Sequence, residues 1–383
     1  MFPVSVLAIR DILGSSTWAG LSTGFSTAGS ALSAAWLATY MQRRGRAPGL
    51  TRGFSAAVLG AVLGIVAIQA SSLILFLVGM ILIGVGNGTS NLSRYAASDL
   101  AAEERRSRDI STVIFASTFG AVIFPLFLGP AGDIAESFSL NENAGGFAMA
   151  IILAGLAAAA VWVFMRPDPL VVAGRVDPDA ERKDTVPFSS ALSIAFAHPM
   201  ARLAFVALVV GQAVMVGVMA MTPLHMEAHG HANGMIGAVI SAHTAGMFAL
   251  APFAGYLSDR WGRVQTVSLG GLTLVVATML TALAGEAPAA LMFPGLFLLG
   301  LGWSFTIVAG SALLTESVRA EDQVAVQGAA DMATNIASGS GALLSGVVLS
   351  MSGFHSLSYV AMAAAGALLI MGYFQQRLTT NMA

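Results

Sequence analysis

The stretch GYLSDRWGR, residues 255–263, sets one acid and two arginines between glycines in a chain where only 10% of residues are charged. Apolar runs flank it, at about 234–257 and 264–284. Roughly 20 apolar residues is the length a helix needs to cross a hydrocarbon core of about 30 Å. The charged stretch therefore reads as a short turn between two transmembrane helices.

Working outward from this turn, eleven such runs appear, at about 17–41, 51–70, 72–97, 109–131, 145–165, 200–224, 234–257, 264–284, 289–315, 324–350 and 355–376. They are too long and too rarely alternating for barrel strands, which show segments of ~10 residues with period two. An all-α integral membrane protein is expected. Composition agrees: 56% of residues are apolar, and a soluble domain carries roughly 25% charged residues. The 42 glycines suit membrane helices whose backbones approach closely. A net charge of -2 gives no sign of a nucleic-acid partner, and without cysteine no disulfide is available.

Seventeen of the eighteen Lys and Arg residues fall in alternate connections or in the tail, from Arg43, Arg44, Arg46 and Arg52 to Arg377. Basic residues concentrate in cytoplasmic loops. The reading is a multi-pass protein of the inner or plasma membrane with a cytoplasmic C-terminus. Arg10 is the exception, and the nine residues before it are too few to cross a bilayer. They read as a stump of a first helix, so the eleven complete helices are numbered spans two to twelve. The other reading is a short extracellular N-terminus before eleven spans. No basic start marks a signal peptide.

Aligning Gly45 and Arg46 on Gly262 and Arg263 fixes an internal offset of 217 residues. The same offset carries Asp99, at the end of span four, onto Glu316, at the end of span ten, and brings GVGNG at 84–88 within one residue of GLGWS at 300–304. A duplicated six-helix unit follows, with parallel repeats of the kind transporters use. Residues 1–165 form the first bundle, with its first helix truncated, 166–198 a polar linker and 199–383 the second bundle.

On these residues the chain resembles the major facilitator superfamily of transporters over essentially its whole length. Gly255, Asp259, Arg260, Gly262 and Arg263 match the family's loop signature between spans eight and nine. The first-half copy, ATYMQRRGR at 38–46, keeps Arg43, Gly45 and Arg46 but has Ala38 for the first glycine and Gln42 for the acid. The resemblance implies two six-helix bundles with pseudo-twofold symmetry and a cytoplasmic latch. It puts Asp259 at the start of span eleven, where a carboxylate meets the helix dipole, and pairs Arg260 or Arg263 with Glu316. In the first half Asp99 would pair with Arg43 or Arg46, and Gln42 would hold its helix dipole more weakly. The plainer alternative is ordinary basic loop charge with a turn glycine. A span-five pattern associated with antiporters is partly echoed by Gly120, Pro125, Gly129, Pro130 and Gly132, while Met80 stands where proton-coupled drug exporters carry a span-four arginine.

Ionisable residues inside a span mark candidate function. Asp331 lies in span eleven on one helical face with Gln327, Asn335 and Ser338. That face should look into a cavity, where the acid could carry a proton or meet a cationic substrate. Asn87, Asn91 and Arg94 share a face of span four, with Arg94 either steering an anionic substrate or pairing with Asp99. Gln212, His243 and Trp303 are the second-half cavity candidates, Trp303 as a stacking surface for a flat molecule. HMEAHGH at 225–231 gathers His225, Glu227, His229 and His231, but reads as a solvated loop that holds no metal.

No P-loop or HExxH pattern is present, and no enzyme, cofactor or metal is implied. The expectation is a monomeric secondary transporter in the lipid bilayer. It would move a small organic solute by alternating access with protons as coupling ion, as efflux of a drug or metabolite. A nutrient importer of the same fold and a non-transporting sensor are the alternatives.

Overall fold

The computed structural model describes residues 4–5, 8–9, 12, 20–177, 185–284 and 289–380, and every regular element among them is helical. Arg10, Arg182 and Lys183 lie outside the described residues. Spans two to seven are Gly20–Arg44, Arg46–Gln69, Leu73–Ser98, Arg106–Ser137, Ala144–Phe164 and Pro199–Ala228. Span eight is split into Asn233–Thr244 and Ala251–Trp261, and spans nine and ten are Arg263–Leu283 and Ala289–Glu316. Spans eleven and twelve lie in Gln323–Thr380.

Among the described residues seven helices qualify as membrane spans by length and hydropathy, or nine when two bent pairs each count as one. Chemistry accounts for the other two of the eleven. Gln323–Arg377 has 55 residues, about 80 Å at 1.5 Å per residue, which is far more than one crossing. Gly353, at φ 78° and ψ 174°, breaks it within the turn expected between 350 and 355. Span two falls short because Ser22, Thr23, Ser26, Thr27, Ser30 and Ser33 interrupt its apolar face. In span eight a π-helical turn, Ala245–Ala249, accompanies a bend of 41° before Pro252 restarts the helix.

The described residues divide into two compact units. The first comprises Met1–Leu100, Phe119–Phe188 and Gln327–Ile336; the second comprises Ala101–Thr118, Ser189–Val326 and Ala337–Ala383. In the first, Val4, Ala8 and Ile9 are helical and share an apolar cluster with Phe76, Met80 and Phe147. Met80, where the resemblance would allow an arginine, is thus a core side chain.

The repeat inferred from sequence is written into the packing of each unit. Gly45 and Gly262 have matching backbones, φ 94° with ψ 172° and φ 113° with ψ 155°, a region essentially reserved for glycine. A Cβ on Gly53 would lie 2.8 Å from Cβ of Thr89, and one on Gly270 would lie 2.8 Å from Cγ2 of Thr306. Each contact is the other displaced by 217 residues.

Candidate functional site: two charged loops and a buried ion pair

In the second unit the loop begins as Ala251–Trp261 ends at Gly262, which leaves Arg263 at the first position of span nine. The Arg263 guanidinium donates to both Glu316 oxygens at 3.0–3.2 Å, to the Ser258 carbonyl at 2.9 Å and to the Glu103 carbonyl. It also lies 2.9 Å from Asp259. Arg106, at the head of span five, meets Glu316 at 3.2 Å.

Asp259 is not at span eleven. Its carboxylate accepts from the backbone N–H groups of Ser107 and Arg108, both at 3.1 Å, in the first turn of span five. Those N–H groups have no partner within their own helix. The loop acid thus meets a dipole three spans back along the chain rather than three ahead. The cause is close packing of span eight on span five. A Cβ on Gly255 would lie 2.8 Å from the Ser107 carbonyl oxygen and 2.8 Å from Cβ of Ser111, and the Ser107 and Ser258 hydroxyls meet at 2.8 Å. Arg260 takes no part in the Glu316 pair. It donates to the Tyr256 hydroxyl.

In the first unit Arg46 occupies the equivalent place and is completely buried. Its Nε lies 2.7 Å from Asp99, its Nη2 donates to the other Asp99 oxygen at 3.2 Å, and Nη2 also reaches Gln327 at 2.5 Å. Arg43 does not share Asp99; it contacts Thr185 at 3.4 Å. Gln42 meets no span-eleven dipole, because its oxygen accepts from Val186 N–H in the linker at 2.9 Å. Two linker residues complete this loop. Arg175 lies 3.4 Å from Asp99, and Asp168 accepts from Ala47 N–H at 2.7 Å, at the N-terminus of span three, and from Leu170 N–H at 2.9 Å.

The missing glycine of the first loop has moved across its contact. Gly328 stands where a Cβ would lie 3.0 Å from the Ala34 carbonyl and would press on Ala38. Ala38 is the counterpart of Gly255, and Gly328 the counterpart of Ser111, each 217 residues apart. The close approach survives in both units, with the glycine on opposite partners.

Arg94 pairs with Asp331 rather than with Asp99. Nη2 to Oδ1 is 2.5 Å, and the two side chains are 5% and 2% exposed. Arg94 also donates to Asn91 O at 2.6 Å and Tyr95 OH at 3.0 Å, and its guanidinium lies 4.4 Å from the Tyr95 ring centre. The whole polar face of span eleven is engaged. Gln327 meets Arg46, Asp331 meets Arg94, Asn335 accepts from Ser30 at 2.9 Å and Ser338 accepts from Gln212 at 3.4 Å. Asn87 and Asn91 are exposed on span four, Asn87 donating to Ser26 at 3.4 Å.

In the second unit Trp303 is buried, donates to Gln212 at 2.7 Å and meets Phe248 edge-on at 5.8 Å. It is a fixed wall rather than a free stacking surface. His243 is buried with Nδ1 2.9 Å from the Leu296 carbonyl, and its Nε2 has no hydrogen-bond partner among the described residues. The histidine segment is helical up to Ala228, not a loop, and His225 stacks on Phe354 at 4.2 Å. No group of residues suited to a metal occurs among the described residues.

Sequence missed Asp168, Arg175 and Tyr95. Asp168 before Pro169 carries a helix N-cap signal, but nothing local tells that its second oxygen reaches Ala47.

Repeated membrane helices whose loops are closed by arginine–carboxylate pairs, around buried polar groups, define a membrane transport protein. The chain matches the model of the Major Facilitator Superfamily over residues 1–235 and again over 217–381, and it belongs to that superfamily. It is 33% identical to the uncharacterized MFS-type transporter YddS of Bacillus subtilis over 370 residues, 96% of this chain and 83% of that protein. It is 28% identical to the riboflavin transporter RfnT of Brucella anthropi over 343 residues, 89% of this chain and 82% of that protein. In fold it is similar to the transporter FucP in its outward conformation, at 17% identity and a TM-score of 0.74, covering 97% of this chain and 95% of that one. The human organic anion transporter MFSD10 is similar at 16% identity and a TM-score of 0.73, covering 97% and 89%. The family is one of transporters, not enzymes.

Proposed function

We propose that the chain is a secondary transporter that moves a small organic solute by alternating access, coupled to protons through Asp331. The bundles of 1–165 and 199–383, joined by 166–198, are its moving parts. The observation that carries this reading is the buried Arg94–Asp331 pair. Two charges out of water are tolerable only while each answers the other. A proton on Asp331 removes that answer and leaves Arg94 available to an anionic group of the solute. A proton on the acid and an anion on the arginine therefore favour one another, and such coupling is reciprocal.

This linkage favours a proton moving in the same direction as the solute, and so proton-linked uptake over efflux. The antiport reading leaned on the span-five pattern of Gly120, Pro125, Gly129, Pro130 and Gly132. Gly120 and Gly129 have no atom of the described residues within 4 Å of where a Cβ would stand, and only Gly132 packs closely, a Cβ there lying 2.7 Å from Cγ of Glu142, so the pattern carries little weight for antiport. RfnT, a riboflavin transporter, supports an organic cargo.

The test is flux into proteoliposomes with and without an imposed pH gradient, on candidate organic anions. The intact chain should accumulate solute with the inward proton gradient, and Asp331→Asn should lose that acceleration while still exchanging solute. Gradient-driven flux that survives the substitution removes Asp331 from coupling.

A further inference from the structure

Arg260 matches the loop signature yet has no part in the loop's ion pairs, and its surroundings suggest a different ligand. We propose that Arg108, Tyr256 and Arg260 form a site for the headgroup of an anionic phospholipid in the leaflet on the arginine-rich face. Phe253, Tyr256 and Arg260 lie on one face of Ala251–Trp261 and all three are exposed. Along that face the chemistry passes from hydrocarbon through an amphipathic ring to a cation, the order a lipid presents from acyl chain to phosphate.

Arg108 comes from span five to the same ring. Its guanidinium lies 5.1 Å and that of Arg260 5.9 Å from the Tyr256 ring centre. Neither charge is spent. Arg108 is 44% exposed, and among the described residues its guanidinium makes only a 3.6 Å ion pair with Asp259. The Asp259 charge is already answered by Arg263 at 2.9 Å and by two backbone N–H groups. Among the described residues Arg260 uses its guanidinium on the Tyr256 hydroxyl alone. Two guanidinium groups with N–H donors to spare thus lie 5.1 and 5.9 Å from the centre of one ring, which suits a phosphate diester. Arginine held over an aromatic ring recurs at other span ends of this face, Arg166 on Trp162 at 4.5 Å, Arg377 on Tyr373 at 4.7 Å and Arg52 on Tyr40 at 4.1 Å. Only at Tyr256 do two arginines share the ring among the described residues.

Native mass spectrometry of the purified full chain, titrated with phosphatidylglycerol and separately with phosphatidylcholine, reads the site directly. The intact protein should retain phosphatidylglycerol in preference. Arg260→Gln should weaken that retention about fivefold and Arg108→Gln with Arg260→Gln at least tenfold, as expected for arginines near an anionic lipid surface. The single variant breaks no ion pair, so it reports even if the double variant folds poorly. Arg319→Gln, an exposed arginine paired with Glu321, should leave retention unchanged. Unchanged retention in Arg260→Gln, an equal loss in Arg319→Gln, or displacement of the lipid by soluble glycerol phosphate overturns the proposal.

Discussion

The two charged loops share a plan and differ in what surrounds it. In both, a glycine at positive φ starts the next helix and the arginine after it grips an acid at the end of the span that follows. The second-unit pair is partly hydrated, with Arg263 10% and Glu316 16% exposed, and it branches to Asp259 and Arg106. The first-unit pair is dry, with Arg46 and Asp99 both at 0%. A branched, wetted network can lose a member and rearrange. The first-unit pair branches too, to Gln327 and Arg175, but a charge left behind there has far less water to turn to.

The largest expected effect follows from that contrast. Asp99→Asn leaves the buried Arg46 charge with the neutral Gln327 as its remaining acceptor and should cost about 3 kcal/mol of stability. Glu316→Gln leaves Arg263 with Asp259 and should cost about 1 kcal/mol, as for a partly exposed pair. Thermal unfolding of the two variants in detergent checks the order. Equal losses would mean that the dry and wet loops are energetically alike.

Next comes the exchanged glycine. Gly255→Ala forces a methyl against Ser107 and Ser111, and overpacking of this kind costs about 1–3 kcal/mol. Combining it with Ser111→Gly reproduces the arrangement of Ala38 and Gly328 and should recover most of the loss. Recovery that fails would show that the two crossings are not interchangeable, whatever their common offset.

What was legible in the sequence divides along the same line. Span lengths follow from apolar runs and the match of Asp99 to Glu316 from a constant offset, a consequence of duplication, whereas the pairing of loop arginines with those acids comes from the family resemblance, which leaves Arg260 or Arg263 and Arg43 or Arg46 open. The partners of Asp259, Gln42 and Arg94 do not follow, because each lies on a helix whose proximity is decided by packing rather than by order in the chain. The family resemblance puts Asp259 at span eleven, while the small side chains at Gly255 and Ser111 bring span five to it. The engaged face of span eleven was visible as a period. That arginines from spans three and four answer it was not.

The smallest effect, and the finest test of the comparison, is at the loop position that differs most in charge. Asp259 holds two backbone N–H groups and lies beside two arginines, so Asp259→Asn should cost about 1–2 kcal/mol and slow transport markedly. Gln42 holds a single N–H in the linker, and Gln42→Ala should cost at most about 1 kcal/mol with transport nearly intact. Stability and flux measured together on both variants decide the matter. If the Gln42 change proves as damaging as the Asp259 change, the linker contact at Val186 is as much a part of the first loop's closure as Asp259 is of the second's. The first unit would then have replaced a helix dipole by a tether, with Asp168 and Arg175 as its other anchors.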